Sequence, residues 1–457
     1  MSIWHNYTPP ATHNRFIDRV EEIRLVNEYL GSLRDGLERE ALIVFKGVPG
    51  IGKSTLLREL RRRLSHEGVH SIYLDFEQIC AGEQPMRTAL KTVLEQLPFP
   101  ALVSSGDPIE YLVEKWRGEI AQWSKSSRAA PPVLFLDALE ECTVQILSEL
   151  ERDILAPALA TRRSLLIATS RQSLEWDEFM VRRAVLEYDL KPFVVSATRE
   201  QIGDESLAIQ IQDLTGGIPG ANVEIFEELQ GRIDDFQERR EELTLNLVEK
   251  YIFEQLIPRV DWKVRHALQI LSPLRQFDYD SIAMILSTLL PEDWAKDTSA
   301  REFRQLVRDM QRTTQVVEWD GKKRSFVIVR PIRYLLDRYL YVDYRRRRQG
   351  ERYNAIHWLA LQIYEKRTLE EPVYIWDVLY HKARLWTGSQ LDPALNKELI
   401  DSLTHCLRRV TRDKDEPASR APQDMELIRR SLDDDDLKEA LRGSLDSIRQ
   451  VLEDFDS

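Results

Sequence analysis

Short runs of consecutive apolar residues alternate with segments of helical period over the first 190 positions. The runs are Ala41–Phe45, His70–Phe76, Val133–Asp137, Ser164–Ala168 and Ala184–Tyr188. Runs that are apolar throughout, rather than at every second position, belong to strands covered on both faces. Five of them separated by helical segments predict an α/β domain with a parallel sheet and helices on both faces, ending near Lys191-Pro192. From 194 to 245 the pattern is helical and broken once, at Thr215–Pro219. Helical periods follow at Lys263–Leu271, Asp280–Leu290 and Ala300–Met310. Two strand-like runs come next, Thr314–Trp319 and Ser325–Val329, with Asp320-Gly321 between them as a tight-turn signal. Three helices and a terminal hairpin are the layout of a winged helix. Residues 331–344 continue as helix, and 350–411 read as two or three more. Beyond 412, Leu437, Leu441, Leu445, Ile448, Leu452 and Phe455 recur at steps of three and four, one apolar stripe on a helix.

The resulting division is 1–35 as an N-terminal lead-in and helix, 36–193 as the α/β domain, and 194–246 as a helical lid. It continues with 247–345 as the winged helix, 346–411 as a helical arm and 412–457 as an amphipathic tail. At 457 residues, about three domains of ordinary size are expected. With 43% hydrophobic residues the chain is not a disordered one. Its 64 basic and 76 acidic residues give a net charge of −12, which excludes a uniformly basic nucleic-acid coat but not a local basic patch. Half of that charge sits in the tail, where 14 acidic residues face 8 basic ones. Cys80, Cys142 and Cys406 lack metal-ligand spacing, so a reducing compartment is expected. No apolar run of about 18 residues and no basic-then-apolar leader occurs. The expectation is a cytoplasmic protein with no membrane contact.

The chemistry is concentrated after the first run. Gly47-Val48-Pro49-Gly50-Ile51-Gly52-Lys53-Ser54 has P-loop spacing between a strand and a helix. Glycines let the backbone curl its N–H groups toward phosphate oxygens, and the following helix adds its N-terminal dipole. Lys53 would reach the β- and γ-phosphates, Ser54 would ligate Mg2+, and Thr55 would support a phosphate. Asp137, closing the run Val133–Leu136, is the carboxylate for the magnesium. Glu140 or Glu141 would orient an attacking water. Arg171 follows the next run in Ala168-Thr169-Ser170-Arg171, at the carboxyl end where open parallel sheets hold their ligands, and would sense a γ-phosphate.

The order P-loop, Leu134-Phe-Leu-Asp137-Ala-Leu-Glu-Glu141, Thr169-Ser-Arg171, Gly217-Ile-Pro219 and winged helix resembles the STAND class of P-loop ATPases, which includes the NACHT and NB-ARC regulators. The two acids after Asp137 are closer to the NACHT form. Arg15-Phe16-Ile17-Asp18-Arg19 resembles the lead-in motif of that class, with Phe16, Ile17 and Arg19 near adenine and ribose, and Pro219 packing on the base. The resemblance covers residues 14–345. It implies an ATP/ADP switch in signal transduction, closed with ADP and open with ATP, that hydrolyses ATP slowly and assembles in the open form. Three departures stand out. Asp18 replaces the usual glycine. Arg330 stands where many members place a histidine on the ADP β-phosphate. Neither an N-terminal effector domain nor a long C-terminal sensor is expected, so output would pass through the winged helix, arm or tail to a protein partner or a second copy.

Other features weigh less. Arg345–Arg348 beside a winged helix is compatible with nucleic acid, but Glu302 and Asp309 among the arginines of Ala300–Met310 weigh against it. Arg61–Arg63 read as solvated surface. His357, His381 and His405 read as core or surface histidines. Trp358, Tyr364, Tyr374, Trp376, Tyr380 and Trp386 read as helical packing. The alternatives to a STAND switch are a DNA-binding AAA+ ATPase of the origin-recognition type, or a scaffold that keeps nucleotide without catalysis.

Overall fold

In a computed structural model of the chain, the residues described are 16–35, 41–104, 106–126, 132–229, 236–257, 260–295, 297–314, 316–321, 324–386, 392–412, 421–432 and 434–455. Arg15 of the lead-in motif lies outside them. The chain divides into two compact units, Met1–Phe236 and Gln237–Ser457.

The first unit is built on five parallel strands: β1 (Leu42–Lys46), β2 (Ser71–Asp75), β3 (Val133–Asp137), β4 (Leu165–Ser170) and β5 (Val185–Asp189), in the order β2-β3-β4-β1-β5. The inner strands β3 and β4 are buried at every position and β1 at all but Lys46. The edges differ: β2 buries alternate residues and β5 is half-exposed. Central position is therefore why these runs read as continuously apolar, and each predicted strand lies within two residues of the observed one. Helix α1 (Val20–Arg34) precedes the sheet and α2 (Lys53–His66) leaves β1. Helices α3 (Phe76–Cys80), α4 (Pro85–Glu95) and α5 (Ile109–Ser126) join β2 to β3, α6 (Val144–Leu150) and α7 (Ala156–Ala160) join β3 to β4, and α8 (Phe179–Ala184) leads into β5. Trp116 of α5 is fully buried, and its indole N–H donates to the Ile154 carbonyl at 3.2 Å.

After β5 come α9 (Val195–Ile202), α10 (Glu205–Thr215) and α11 (Pro219–Leu229). The predicted helical stretch is thus broken twice before residue 230, not once. Gly203 ends α9 at φ 81°, and Asp204 caps α10 by accepting from the Leu207 N–H at 2.7 Å. These helices share a buried polar network in which Asn222 accepts from Thr215 and donates to Gln201 and Thr198.

The second unit follows α12 (Phe236–Leu247) with α13 (Trp262–Leu271), α14 (Tyr279–Leu289) and α15 (Ala300–Asp309). Each has the cap its sequence offers: Asp261 for α13, and the capping boxes Asp278/Ser281 and Ser299/Glu302 for α14 and α15. The hairpin β6 (Val317–Asp320) and β7 (Ser325–Ile328) pairs Asp320 with Ser325, so its connection spans four residues, 321–324, instead of a tight two-residue turn at Asp320-Gly321. Phe277 and Phe326 exchange backbone hydrogen bonds at 2.9 and 2.7 Å, pinning the hairpin to the segment before α14.

Helices α16 (Arg330–Arg346), α17 (Gly350–Arg367), α18 (Ile375–Leu385) and α19 (Pro393–Arg412) follow. Tyr364, Trp376 and Tyr380 are fully buried, whereas Trp358 is exposed. His357 and His381 are core histidines that meet at 2.8 Å through their Nδ1 atoms; burial lowers both, His357 to about 4, and keeps them neutral.

The tail is not one helix. It forms α20 (Ala421–Ser431), α21 (Asp435–Ala440) and α22 (Leu445–Asp454), and the predicted stripe is split at 441–444, where Gly443 disfavours continued helix. The tail docks on its own unit. Trp376 donates to the Ile428 carbonyl at 2.8 Å, and Leu437, Leu441, Ile448 and Leu452 are buried. Buried Arg275 pairs with Asp377 at 3.2 Å and Asp434 at 3.0 Å, while Asp436 pairs with buried Arg333 and with Arg330 at 2.9 Å. Burial pushes the Asp436 carboxyl up, but Arg333 and Arg330 more than offset this and hold it below the usual range.

Removing Asp436 leaves the Arg333 charge buried without that partner, a loss of about 3 kcal/mol. The Asp436→Ala variant is expected to unfold its second unit at lower urea and to lose amide-exchange protection across 421–455. Unchanged exchange there would mean that apolar packing alone holds the tail.

Candidate active site

Because β4 lies between β1 and β3, the carboxyl ends of all three strands meet. The loop 47–52, Asp137 and Ser170-Arg171 are thereby brought together, and the Gly47 N–H donates to the Ser170 carbonyl at 3.2 Å. Gly52, at φ 99°, caps α2 in a backbone conformation that an L side chain would strain. Lys53 folds back under the loop, its Nζ donating to the carbonyls of Gly47 at 2.6 Å and Val48 at 3.3 Å. Burial pulls its ammonium down to about 8; Glu140 and Asp137 oppose that shift, and Arg171 adds to it.

The buried Asp137 carboxylate collects three hydroxyls. Ser54 Oγ donates to Oδ1 at 3.1 Å, Thr169 Oγ1 to Oδ1 at 2.5 Å, and Tyr73 Oη to Oδ2 at 2.7 Å. The Ala138 N–H donates to Thr169 Oγ1 at 2.9 Å, and Ala138 at φ 60° turns the chain sharply into the short helix Leu139–Glu141. That turn separates the two glutamates. The Glu140 side chain is 4% exposed and pairs through Oε1 with Arg171 Nε at 3.0 Å; its Oε2 is buried without a protein partner. Burial pushes its carboxyl up against the pull of Lys53 and Arg171. Glu141 is 39% exposed and lies 3.4 Å from Arg171 Nη2.

Other predicted residues occupy different places. Thr55 is exposed on the first turn of α2. Phe16 and Ile17 are half-buried, with the Arg63 guanidinium 6.0 Å from the Phe16 ring centroid. Arg19 is buried, and it donates to the carbonyls of Ile51 at 2.7 Å and Lys191 at 2.8 Å while lying over the Phe193 ring. Its guanidinium ties the lead-in to the phosphate loop. Asp18, where the class has glycine, adopts the left-handed φ of 60° that glycine takes freely and aspartate tolerates. Pro219 is buried at the start of α11, and the next residue, Gly220, donates its N–H to the Gly50 carbonyl at 2.9 Å. A Cβ on Gly220 would lie 3.0 Å from Gly50 Cα. Arg330 begins α16 in the second unit, where Asp436 holds it.

Tyr73, Thr169 and Gly220 were not legible as site residues. Tyr73 gives no spacing signal, since it sits on an edge strand with alternating burial. Thr169 and Gly220 stand inside the recognised segments Thr169–Arg171 and Gly217–Pro219 or next to them, but only the fold shows what they touch.

The donor set fits a magnesium nucleotide. Ser54 and Asp137 offer the oxygen ligands that a hard divalent cation requires, beside a buried lysine. Residues 15–168 match the AAA ATPase domain family. No curated protein matches the chain. Among solved structures, the chain is similar to Cdc6p from Pyrobaculum aerophilum at 16% identity and a TM-score of 0.36, over 73% of this chain and 97% of that one. It is similar to the Aeropyrum pernix ORC2 protein at 14% identity and 0.43, over 74% and 97%. A STAND protein with a tetratricopeptide repeat sensor from Pyrococcus horikoshii matches at 14% identity and 0.29, over 97% of this chain and 58% of that one. Among the described residues no helix is long and apolar enough to cross a membrane. Residues 15–168 are a P-loop ATPase domain of the AAA kind.

The lowered Lys53 value predicts a pH dependence. A phosphate contact favours the ammonium, so binding above pH 8 must take up a proton. ATP affinity should fall as pH rises through 8, by up to about tenfold per unit. Titration calorimetry at pH 8.5 in two buffers of different ionisation heat checks this; a heat independent of buffer would refute it.

Proposed function

We propose that the chain is an ATP-driven conformational switch of the STAND type, held closed with ADP, opened by ATP and hydrolysing it slowly. The observation that carries this reading is the hydrogen bond from Gly220, at the start of α11, to Gly50 in the phosphate loop. The lid rests on the loop itself, so a change in what the loop holds is felt by the lid. Arg19 adds a second tie, joining Ile51 of the loop to Lys191 at the lid's entrance.

In this reading Lys53 and the loop bind the β- and γ-phosphates of ATP. Mg2+, held by Ser54 and Asp137, would neutralise phosphate charge. Tyr73 and Thr169 fix the Asp137 carboxylate through its two oxygens. We read Glu140, rather than the more exposed Glu141, as the acceptor of a proton from the attacking water, because one of its oxygens is anchored by Arg171 and the other is buried and unengaged. Arg171 holds both glutamates and senses the γ-phosphate by trading one of them for it. The three helices and hairpin of the second unit are read as the winged helix. For Arg330 to meet a phosphate it must first give up Asp436. Assembly in the ATP form, with a protein partner or a second copy, would use the second unit.

Protein purified and heat-denatured should release near-stoichiometric ADP. Lys53→Ala should release none and bind no ATP; tight ATP binding by that variant would remove the site. Glu140→Gln should keep ATP binding and slow turnover about 100-fold, while Glu141→Gln should slow it less than tenfold. The reverse ranking would move the proton acceptor to Glu141. An empty site with fast exchange would argue against the switch.

A further inference from the structure

We infer that the exposed face of α15 together with the β6–β7 hairpin is a binding surface for single-stranded nucleic acid. Arg301, Arg304, Arg308 and Arg312 recur at steps of three, four and four, which on a helix places them in one strip. All four are exposed, and no described residue gives any of them an ion pair. Such a strip of like charges works against its own helix, so folding does not account for it.

The two acidic residues of α15 keep their charge but are outnumbered by the arginines, and neutral donors hold both in place. The Glu302 carboxylate accepts from the Ser299 N–H at 2.8 Å and hydroxyl at 2.9 Å as the capping box, and Asp309 accepts from Gln305 at 2.8 Å. Between Ala300 and Arg324 seven basic residues face four acidic ones, a local excess of positive charge in a chain of net −12.

An aromatic platform adjoins the strip. Trp319 is 52% exposed and Tyr279 39% exposed, and both rings rest on Phe326, with centroids at 4.9 and 5.3 Å. Phe326 is in turn locked by its backbone pairing with Phe277. The Arg304 guanidinium lies 6.0 Å over the Tyr279 ring, joining the platform to the arginines. Two rigid exposed rings beside a line of guanidinium groups match a strand with a charged backbone and unpaired bases. A duplex hides the base faces that such rings stack on, and an acidic peptide makes no use of them.

Fluorescence anisotropy with labelled (dT)20, (U)20 and a 20-base-pair duplex tests this on the full chain. A single strand should bind at least tenfold more tightly than the duplex, and the (dT)20 and (U)20 arms identify whether it is DNA or RNA. Trp319→Ala should weaken single-strand binding at least about fivefold. Replacing Arg301, Arg304 and Arg308 with Ala should lower the slope of log K against log salt by about 2. Unchanged circular dichroism and unchanged ATP binding verify that both variants fold. Equal or tighter duplex binding, an unaffected Trp319→Ala, displacement of (dT)20 by polyglutamate at equal charge, or no salt-sensitive binding would each overturn the inference.

Discussion

The buried ammonium of Lys53 is the constraint from which the rest of the active site follows. Taking a lysine out of water is unfavourable, and its lowered pKa records that. Two carbonyls of its own loop accept its hydrogen bonds, and Asp137 and Glu140 supply opposite charge. Burying those carboxylates creates the same problem again. Asp137 solves it with three hydroxyls, and Glu140 solves half of it with Arg171. The half left unsolved is Glu140 Oε2, buried without a partner among the described residues. An arrangement that stabilised every member fully would have nothing left to offer a substrate.

The same economy governs the lid. Glycine is needed at Gly217 because a Cβ there would meet the Phe193 carbonyl at 2.2 Å, and at φ 79° a side chain would be strained as well. At Gly220 the start of α11 meets the phosphate loop backbone to backbone, where a Cβ would crowd Gly50.

How much of this is legible in sequence depends on whether local pattern and final environment agree. The inner strands are apolar because they are covered on both faces, so their runs are read directly. The P-loop, Asp137 and the Ser170-Arg171 end are legible because chemistry fixes their residue types and strand ends fix their place. Arg19 gives no local sign of the carbonyls it holds, since Ile51 and Lys191 lie 32 and 172 residues away. The tail misleads: its apolar spacing continues through 441–444, but the chain turns there to keep Leu437 and Ile448 both buried. Tyr73 and Gly220 carry no local signal because their partners are 64 and 170 residues away.

Net charge is the least informative quantity in this chain, because the second unit sorts its charges. Arg275, Arg330 and Arg333 are paired with Asp377 and with Asp434 and Asp436 of the tail, so part of the chain's acidic charge serves internal pairing. Glu302 and Asp309 are fixed by a cap and a glutamine but stay charged. On α15 the arginines Arg301, Arg304 and Arg308 outnumber Glu302 and Asp309, so the helix is positive in balance even though the chain as a whole carries −12. Screening confines such a field to about 10 Å, so a ligand approaching this face meets the arginines and the exposed rings, not the average charge.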